Sequence, residues 1–433
     1  MADWAKRKFS DLLLEPVRNG IYKKKEFHGD GAKMVNMGEL FAHSRLFDVP
    51  MKRVELNESE LSRFTLQSGD LIFARRSLTA EGAGKCSIVM QAVEPTAFES
   101  SIIRARPDPD TASPVFLYYF FSSPAGRHSL GTIRRQVAVA GITGSDLSAL
   151  EIQIPDIHSQ RAIAATLSAL DDKIELNRQM NEMLEASARA LFRDWFVDFG
   201  PTKAKMAGAA PYLAPDLWAL FPDRLNGKGL PNGWQNNSLA AVASLNPESW
   251  SKKTAPAHVN YVDLANTKWG YIERTESYKW DAAPSRARRK LKQGDTIVGT
   301  VRPGNGSFAF VAKDGLTGST GFAVLRPHSD RDRSLLWCAA TDSVNVDRLA
   351  HLADGGAYPA IRPDIVLASP LNLPKAPELL EKFNAVAGVL LARIERNKNE
   401  NDTLAQIRDL LLPKLMSGEI RIRDAEQPVS EHA

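Results

Sequence analysis

Cysteine is nearly absent. Cys86 and Cys338 are the only two in 433 residues, too few and too far apart for a disulfide framework or a cysteine-rich zinc site. Long apolar runs are also missing: no stretch approaches the roughly 20 consecutive apolar residues that a membrane span needs. The start, Met1-Ala2-Asp3-Trp4-Ala5-Lys6-Arg7-Lys8, meets mixed charge with no apolar export region behind it. The expectation is a cytoplasmic protein with no membrane partner. Nor does one sign of charge dominate. Lys and Arg number 55 against 51 Asp and Glu, a net charge of +4, too mild to establish a nucleic-acid partner; local clustering has to decide.

Catalytic signatures are missing too. Methyl transfer to a base needs an Asn- or Asp-Pro-Pro-aromatic loop and a glycine-rich cofactor turn; Asn246-Pro247-Glu248 lacks the second proline and the aromatic and reads as a turn. Gly82-Ala83-Gly84-Lys85 has Thr79 where a phosphate loop has its first glycine, and Cys86 in place of Ser or Thr, so it reads as a basic turn. Asp108 and Asp110 have no companion for a nuclease metal site, and the eight histidines include no closely spaced ligand pair for zinc. The expectation is a chain that is not an enzyme, binds no metal and holds no cofactor of its own.

What is present is ordinary globular composition, 43% apolar and 24% charged, enough to bury real cores, at a length that suggests two to four domains. It is organised as a long-period repeat. Trp4, Phe9, Leu12 and Leu13 are echoed by Trp234, Leu239, Val242 and Ala243. Val35-Asn36-Met37 is followed by Val262-Asp263-Leu264, and Leu66-Gln67-Ser68-Gly69-Asp70 by Leu291-Lys292-Gln293-Gly294-Asp295. The Gly-Asp pairs mark equivalent turns before strands. Ile152-Gln153-Ile154-Pro155 is answered by Leu371-Asn372-Leu373-Pro374, each predicting a short alternating strand that ends at proline ahead of a long helix.

Those helices carry heptad spacing. Ile163, Leu167, Leu170, Ile174, Asn177, Asn181, Leu184, Ala188, Leu191 and Trp195 alternate steps of four and three. Phe383, Ala387, Leu390, Ile394, Asn397, Asn401, Leu404, Arg408, Leu411 and Leu415 stand at a constant offset of 220 residues. An amphipathic helix that merely covers its own domain explains either alone. The shared asparagines, Asn177 with Asn181 and Asn397 with Asn401, favour pairing: a buried unpaired amide is costly, and polar seam residues set coiled-coil register. The two helices are expected to pack antiparallel, with globular units at opposite ends and Pro413 kinking or ending the second helix early. The first seam would be about 48 Å long at about 1.5 Å per residue, longer than a turn of duplex DNA at about 34 to 36 Å, and so suited to act as a ruler.

Basic residues recur in the loops of both halves. The first half offers Arg75, Arg76, Lys85, Arg134 and Arg135, the last two ahead of the turn containing Thr143; the second offers Arg286, Arg288, Arg289, Lys290, Arg302 with Asn305, and Lys313. Arginine reads a guanine edge through two donors, asparagine does the same for adenine, and lysine mostly neutralises phosphate. Solvated surface charge is the bland alternative for each taken singly.

With these features the chain resembles the specificity subunit of a type I restriction-modification enzyme. The likeness rests on the two-copy organisation and on Ile157-His158-Ser159-Gln160-Arg161 opening the first long helix, Leu191 to Phe199 (LFRDWFVDF) closing it, Leu230-Pro231-Asn232-Gly233-Trp234 opening the second unit, and Leu411 to Ile420 (LLPKLMSGEI). The resemblance implies an α+β fold: two mixed α/β target-recognition domains, residues 1–157 and 234–375, separated by long helices, 158–199 and 376–416, packed as an antiparallel coiled coil. Residues 200–233 would be a linker with one short helix, and 417–433 a tail, polar and disordered after Arg423. The implied function is non-catalytic reading of a bipartite, asymmetric site in double-stranded DNA. The implied partners are two modification (methyltransferase) subunits that use S-adenosylmethionine, docked on the helices, and restriction (translocase/nuclease) subunits that use ATP and Mg2+. Three other readings stay open at this point: a coiled-coil adaptor that bridges proteins without touching DNA, a self-sufficient methyltransferase or nuclease with degenerate motifs, and the same subunit in a methylation-only complex.

Overall fold

The computed structural model describes residues 4–135, 140–375 and 377–420; most of the expected tail lies outside them. The chain divides into two compact units, residues 1–176 with 400–433, and residues 177–399. Both divisions fall inside long helices, the central helix Ile157–Phe192 and the distal helix Glu378–Met416. Each unit is therefore a mixed α/β body with part of each helix packed on it.

In the first unit, Ala5–Lys8 pairs antiparallel with Glu151–Ile154, the last strand before the central helix. Beyond the 3-10 turn Phe9–Leu12 lies a five-stranded sheet in the order Leu13–Asn19, Ile102–Pro107, Leu71–Ala74, Cys86–Val89, Arg45–Leu46. A second sheet sets His28–Val35 between Lys52–Val54 and, in parallel, Thr96–Phe98. The core is aromatic: Phe9, Phe73 and Phe121 meet edge to face, with centroids 5.1 to 6.1 Å apart, a geometry that aligns positive ring edges with negative faces. Phe121 comes from Pro114–Ser122, the first of two successive helices; Pro124–Thr132 follows. Each begins Ser-Pro, at Ser113 and Ser123. The serine hydroxyls accept from Phe116 N and Gly126 N at 3.3 and 3.2 Å, and proline at the first helical position forgoes a donor that has no partner there.

The second unit repeats this plan. Trp234–Ser238 pairs antiparallel with Pro370–Pro374. One four-stranded sheet runs Ala243–Leu245, Phe322–Pro327, Thr296–Gly299, Phe308–Phe310, and another runs Glu276–Lys279, His258–Val262, Leu316–Ser319, Ala287–Lys290. Again the entering strand, His258–Val262, lies parallel to a later one, Leu316–Ser319, and again two successive helices, Arg333–Thr341 and Ser343–His351, follow the sheets.

The repeated Gly-Asp turns acquire a purpose here. Gly69 and Gly294 adopt φ of +92° and +91°, a region open to glycine without steric cost. The Asp carboxylate after each is 1% exposed. Asp70 accepts from Gln67 N at 2.7 Å and takes both Nε and Nη2 of Arg106 at 2.7 and 2.8 Å. Asp295 accepts from Lys292 N at 2.8 Å and takes the same two nitrogens of Arg326 at 2.8 and 2.9 Å. A bidentate guanidinium and a backbone donor together satisfy a carboxylate that would be costly to bury alone. A second carboxylate leans on each arginine, Glu15 on Arg106 and Glu248 on Arg326.

The central helix starts where Asp156, just after Pro155, accepts from His158 N and Ser159 N at 3.0 Å each, a side-chain cap for donors that lack intrahelical partners. It ends in a π-helical turn, Arg193–Val197. In the first unit Ile163, Leu167 and Leu170 share a core with Leu411, Leu415 and Met416 of the distal helix. In the second, Ala188, Phe192 and Trp195 share one with Phe383, Ala387 and Ile394.

Two expectations need correction. Pro413 does not end the distal helix, which runs to Met416; in the last turn a proline removes a single i to i−4 bond, and Ser417 N still reaches Pro413 O at 3.0 Å. Residues 200–233 hold two short helices, Gly200–Met206 and Pro215–Ala219. They also pack on the second unit's core through buried Phe221 and the partly buried Leu217, Leu225 and Leu230, because those apolar side chains have that core to cover.

Candidate nucleic-acid interface

In the first unit the fold gathers basic residues from separate segments. Arg76 lies in the strand Arg76–Ser77, which pairs antiparallel with Ala140–Gly141, Gly141 opposite Arg76. Arg75 O accepts from Ile142 N at 3.0 Å, and Arg135 N bonds Gly141 O at 2.9 Å. Arg75, Arg76 and Arg135 thus sit around one short ladder, with Arg134 next in the chain. Arg76 and Arg135 are exposed; Arg135 pairs with Asp146 at 2.8 Å, and Arg75 Nη1 donates to Ser100 O at 3.3 Å.

Two expected contacts also have local duties. Thr143 caps the turn Gly144–Ser148, its hydroxyl accepting from Asp146 N at 3.1 Å. Lys85 donates through Nζ to Phe41 O at 2.7 Å and lies 4.9 Å from the Phe41 ring centroid; partial burial lowers its pKa, which opposes holding a proton there. The flanking segment 136–139 lies outside the described residues.

In the second unit the expected residues fall into groups with different neighbours. Arg288 stacks on Trp280 at 4.4 Å and Lys290 on Trp250 at 4.9 Å. Lys290 also pairs with Glu248 at 3.0 Å. The Lys292 ammonium, then Lys290, with Arg326 beside them, hold the Glu248 carboxyl down to about 2. Arg289 reaches Ser249 Oγ at 3.3 Å, and burial lowers its pKa. Arg286 is exposed, its carbonyl accepting from Thr320 N at 2.8 Å. The turn Pro303–Asn305 presents Arg302 and Asn305, both exposed. Arg302 is left-handed, φ +49°, a conformation that costs a non-glycine residue energy and often marks function. Its guanidinium stands 4.5 Å from the Tyr358 ring and donates to Ala357 O at 2.6 Å. Lys313 sits on the exposed turn that follows Phe308–Phe310.

Sequence reasoning missed two aromatics at this edge. Trp269, also left-handed at φ +47°, donates its backbone N–H to Gly306 O at 2.7 Å and packs its ring on Phe308, yet stays 58% exposed, and Tyr358 is 72% exposed. The Trp269-Gly270 pair between two short strands was the available signal, because two consecutive positive φ values make the tight hairpin turn.

The helix asparagines are buried as expected at Asn177, Asn181 and Asn397. Within the second unit Asn397 Nδ2 donates to Asn181 Oδ1 at 2.8 Å. Within the first, Asn401 Nδ2 donates to Ile174 O at 3.3 Å. No helix among the described residues is long and apolar enough to cross a membrane.

Residues 1–186 match the type I restriction modification DNA specificity domain. The chain is 21% identical to the type I restriction enzyme HindI specificity subunit of Haemophilus influenzae, over 97% of this chain and 100% of that one. It is 26% identical to the MjaIX specificity subunit of Methanocaldococcus jannaschii, over 71% of this chain and 69% of the relative. Among solved structures, the S subunit of the type I restriction-modification system of M. genitalium matches with a TM-score of 0.56 at 16% identity, covering 96% of each chain, which is a likeness of fold. The resemblance carried by the sequence motifs is borne out by these matches.

Proposed function

We propose that this chain, similar along nearly its whole length to type I specificity subunits, is the DNA sequence-specificity subunit of such a restriction-modification complex. It performs no chemistry of its own. Each α/β body reads one half of a split, asymmetric site in double-stranded DNA, the basic loops described above meeting base edges and phosphates. The paired long helices fix the spacer, and their outward faces on residues 158–199 and 376–416 dock two modification subunits, which bring S-adenosylmethionine. Restriction subunits bring ATP and Mg2+, and the assembly works in the cytoplasm.

The observation that carries this reading is the duplication. Two bodies share the order of four strands in one sheet and three in the other, and the same pairing of a buried Asp with an arginine, yet differ in their loops, as two readers of unlike half-sites on one frame would. Genome-wide detection of methylated adenine, in cells with the modification partner and with or without this chain, tests it. A split motif that disappears with the chain is the expected result. Its absence despite verified partner activity and assembly would favour a protein-bridging adaptor. Exchange of residues 1–157 for the corresponding unit of a relative changes one half of the motif; change in both halves would rule out independent reading.

A further inference from the structure

The internal duplication works as an alignment of the molecule with itself. Base-reading residues have to differ between two bodies that read unlike half-sites, whereas residues that hold the sugar-phosphate backbone have no such reason to differ. Cationic side chains that recur at one topological position are thus candidates for backbone contact.

Beside Arg106 and Arg326, which are held by Asp70 and Asp295, an exposed position meets this condition. In the first unit the segment between Leu13–Asn19 and His28–Val35 contains Tyr22-Lys23-Lys24-Lys25; in the second the segment between Ala243–Leu245 and His258–Val262 contains Trp250-Ser251-Lys252-Lys253. The two segments are equivalent by connection. Each leaves a strand that pairs with the last long strand of its body, Ile102–Pro107 or Phe322–Pro327. Each enters a strand that lies parallel to a later one, Thr96–Phe98 or Leu316–Ser319. In both, part of the motif anchors the loop and part projects. Lys23 pairs with Glu60 at 2.7 Å and packs on Phe27 at 4.7 Å; Trp250 Nε1 donates to Thr317 Oγ1 at 3.0 Å, and Trp250 N to Arg288 O at 2.8 Å. Lys24, Lys25, Lys252 and Lys253 are exposed, and no ion pair among the described residues involves them. Acidic residues flank both motifs, Glu26 and Asp30 after the first and Glu248 before the second, where it is bound to Lys290, Lys292 and Arg326.

We infer that Lys24 and Lys25 in the first unit, and Lys252 and Lys253 in the second, are a matched pair of phosphate grips that hold the DNA backbone beside each half-site without regard to sequence. This rests on the DNA-reading function proposed above and adds its sequence-independent part.

The test is equilibrium binding of the full chain with its modification partner to two duplexes, one carrying the methylated motif and one of random sequence, across a KCl series. Each phosphate neutralised contributes about 0.9 to the slope of log affinity against log salt. Lys24→Ala with Lys25→Ala lowers the slope by about 1.8, as does Lys252→Ala with Lys253→Ala. The fourfold variant loses about 3.6, weakens both duplexes by the same factor, and leaves the genomic motif unchanged. Lys→Arg at all four positions keeps the slope, which separates charge from folding. An unchanged slope in the Ala variants, or a loss confined to the motif duplex, overturns the inference. Wild type that binds neither duplex overturns the proposed function instead.

Discussion

The two units tie their α/β bodies to the long helices by different chemistry. In the first unit Asp171 of the central helix is buried between Tyr119, whose hydroxyl donates to it at 2.7 Å, and Arg408 of the distal helix, whose Nη1 donates at 2.7 Å. Burial raises the Tyr119 pKa, the neighbouring carboxylate adding to it, so the phenol remains a donor. In the second unit the 220-residue offset puts Leu391 for Asp171 and Ala188 for Arg408. Cys338, sixth residue of Arg333–Thr341, takes the place of Tyr119, sixth of Pro114–Ser122. All three lie in the apolar core, where burial pushes the Cys338 thiol up to about 12. The second unit places its polar ties elsewhere, at Arg189 to Thr341 Oγ1, 2.9 Å, and Lys398 to Gly270 O, 2.7 Å. One repeated frame thus tolerates a buried ion pair or hydrophobic contact at the same joint. The ion pair adds direction rather than net stability, because desolvation offsets most of its Coulomb energy.

The largest effect should come from what the units share. Asp70→Ala and Asp295→Ala each leave a partly buried arginine with only its second carboxylate, Glu15 or Glu248, remove the acceptor that holds the turn, and should cost about 3–4 kcal/mol. Hydrogen exchange on each unit should show equal losses, and a much smaller loss in one would break the equivalence of the two frames. Arg408→Ala comes next. It leaves Asp171 buried with only Tyr119, at about 3 kcal/mol because Arg408 is partly exposed, and loosens residues 163–174. The triple change Tyr119→Phe, Asp171→Leu, Arg408→Met should recover most of that loss in chemical denaturation, since a well-packed apolar set replaces the charges. If it does not, the joint depends on its polar geometry.

Smaller still is the seam. Asn397→Leu alone strands Asn181 and should cost about 1–3 kcal/mol. Adding Asn181→Leu should restore stability while loosening register, visible as heterogeneous disulfide trapping between cysteines placed on the two helices. The smallest difference is acid sensitivity. The Glu248 carboxyl drops from 4.5 to about 2 on folding, so its contribution is present above pH 4.5 and disappears as pH falls through about 2. An acid titration followed by exchange in Ala287–Lys290 should show Glu248→Gln removing that dependence from the second unit and leaving the first unchanged.

Much of this architecture was legible because a repeat is a comparison that needs no second protein. The Gly-Asp turns, the short strands ending at Pro155 and Pro374, and the 220-residue offset between seams all name positions that the fold uses. The partners were not legible. Arg106 and Arg326 stand 36 and 31 residues from the aspartates they bind, and a local pattern holds no trace of that distance. The basic residues show the same limit. Thr143 also caps the turn Gly144–Ser148 and Lys85 also donates to Phe41 O, local duties of an N-cap oxygen and a snorkelling ammonium that the sequence pattern does not mark.

The sequence by itself determined the period of two, the helical seams with their asparagines, and the strands that bracket each body, because these depend on side-chain spacing along a regular backbone. Only the tertiary structure decided which buried carboxylate meets which arginine, that residues 200–233 set Phe221 and several leucines against the second unit's core, and that Arg75, Arg76 and Arg135 gather at one ladder. Those outcomes depend on segments far apart in the chain competing for the same buried space, and that competition is resolved only when the whole body packs.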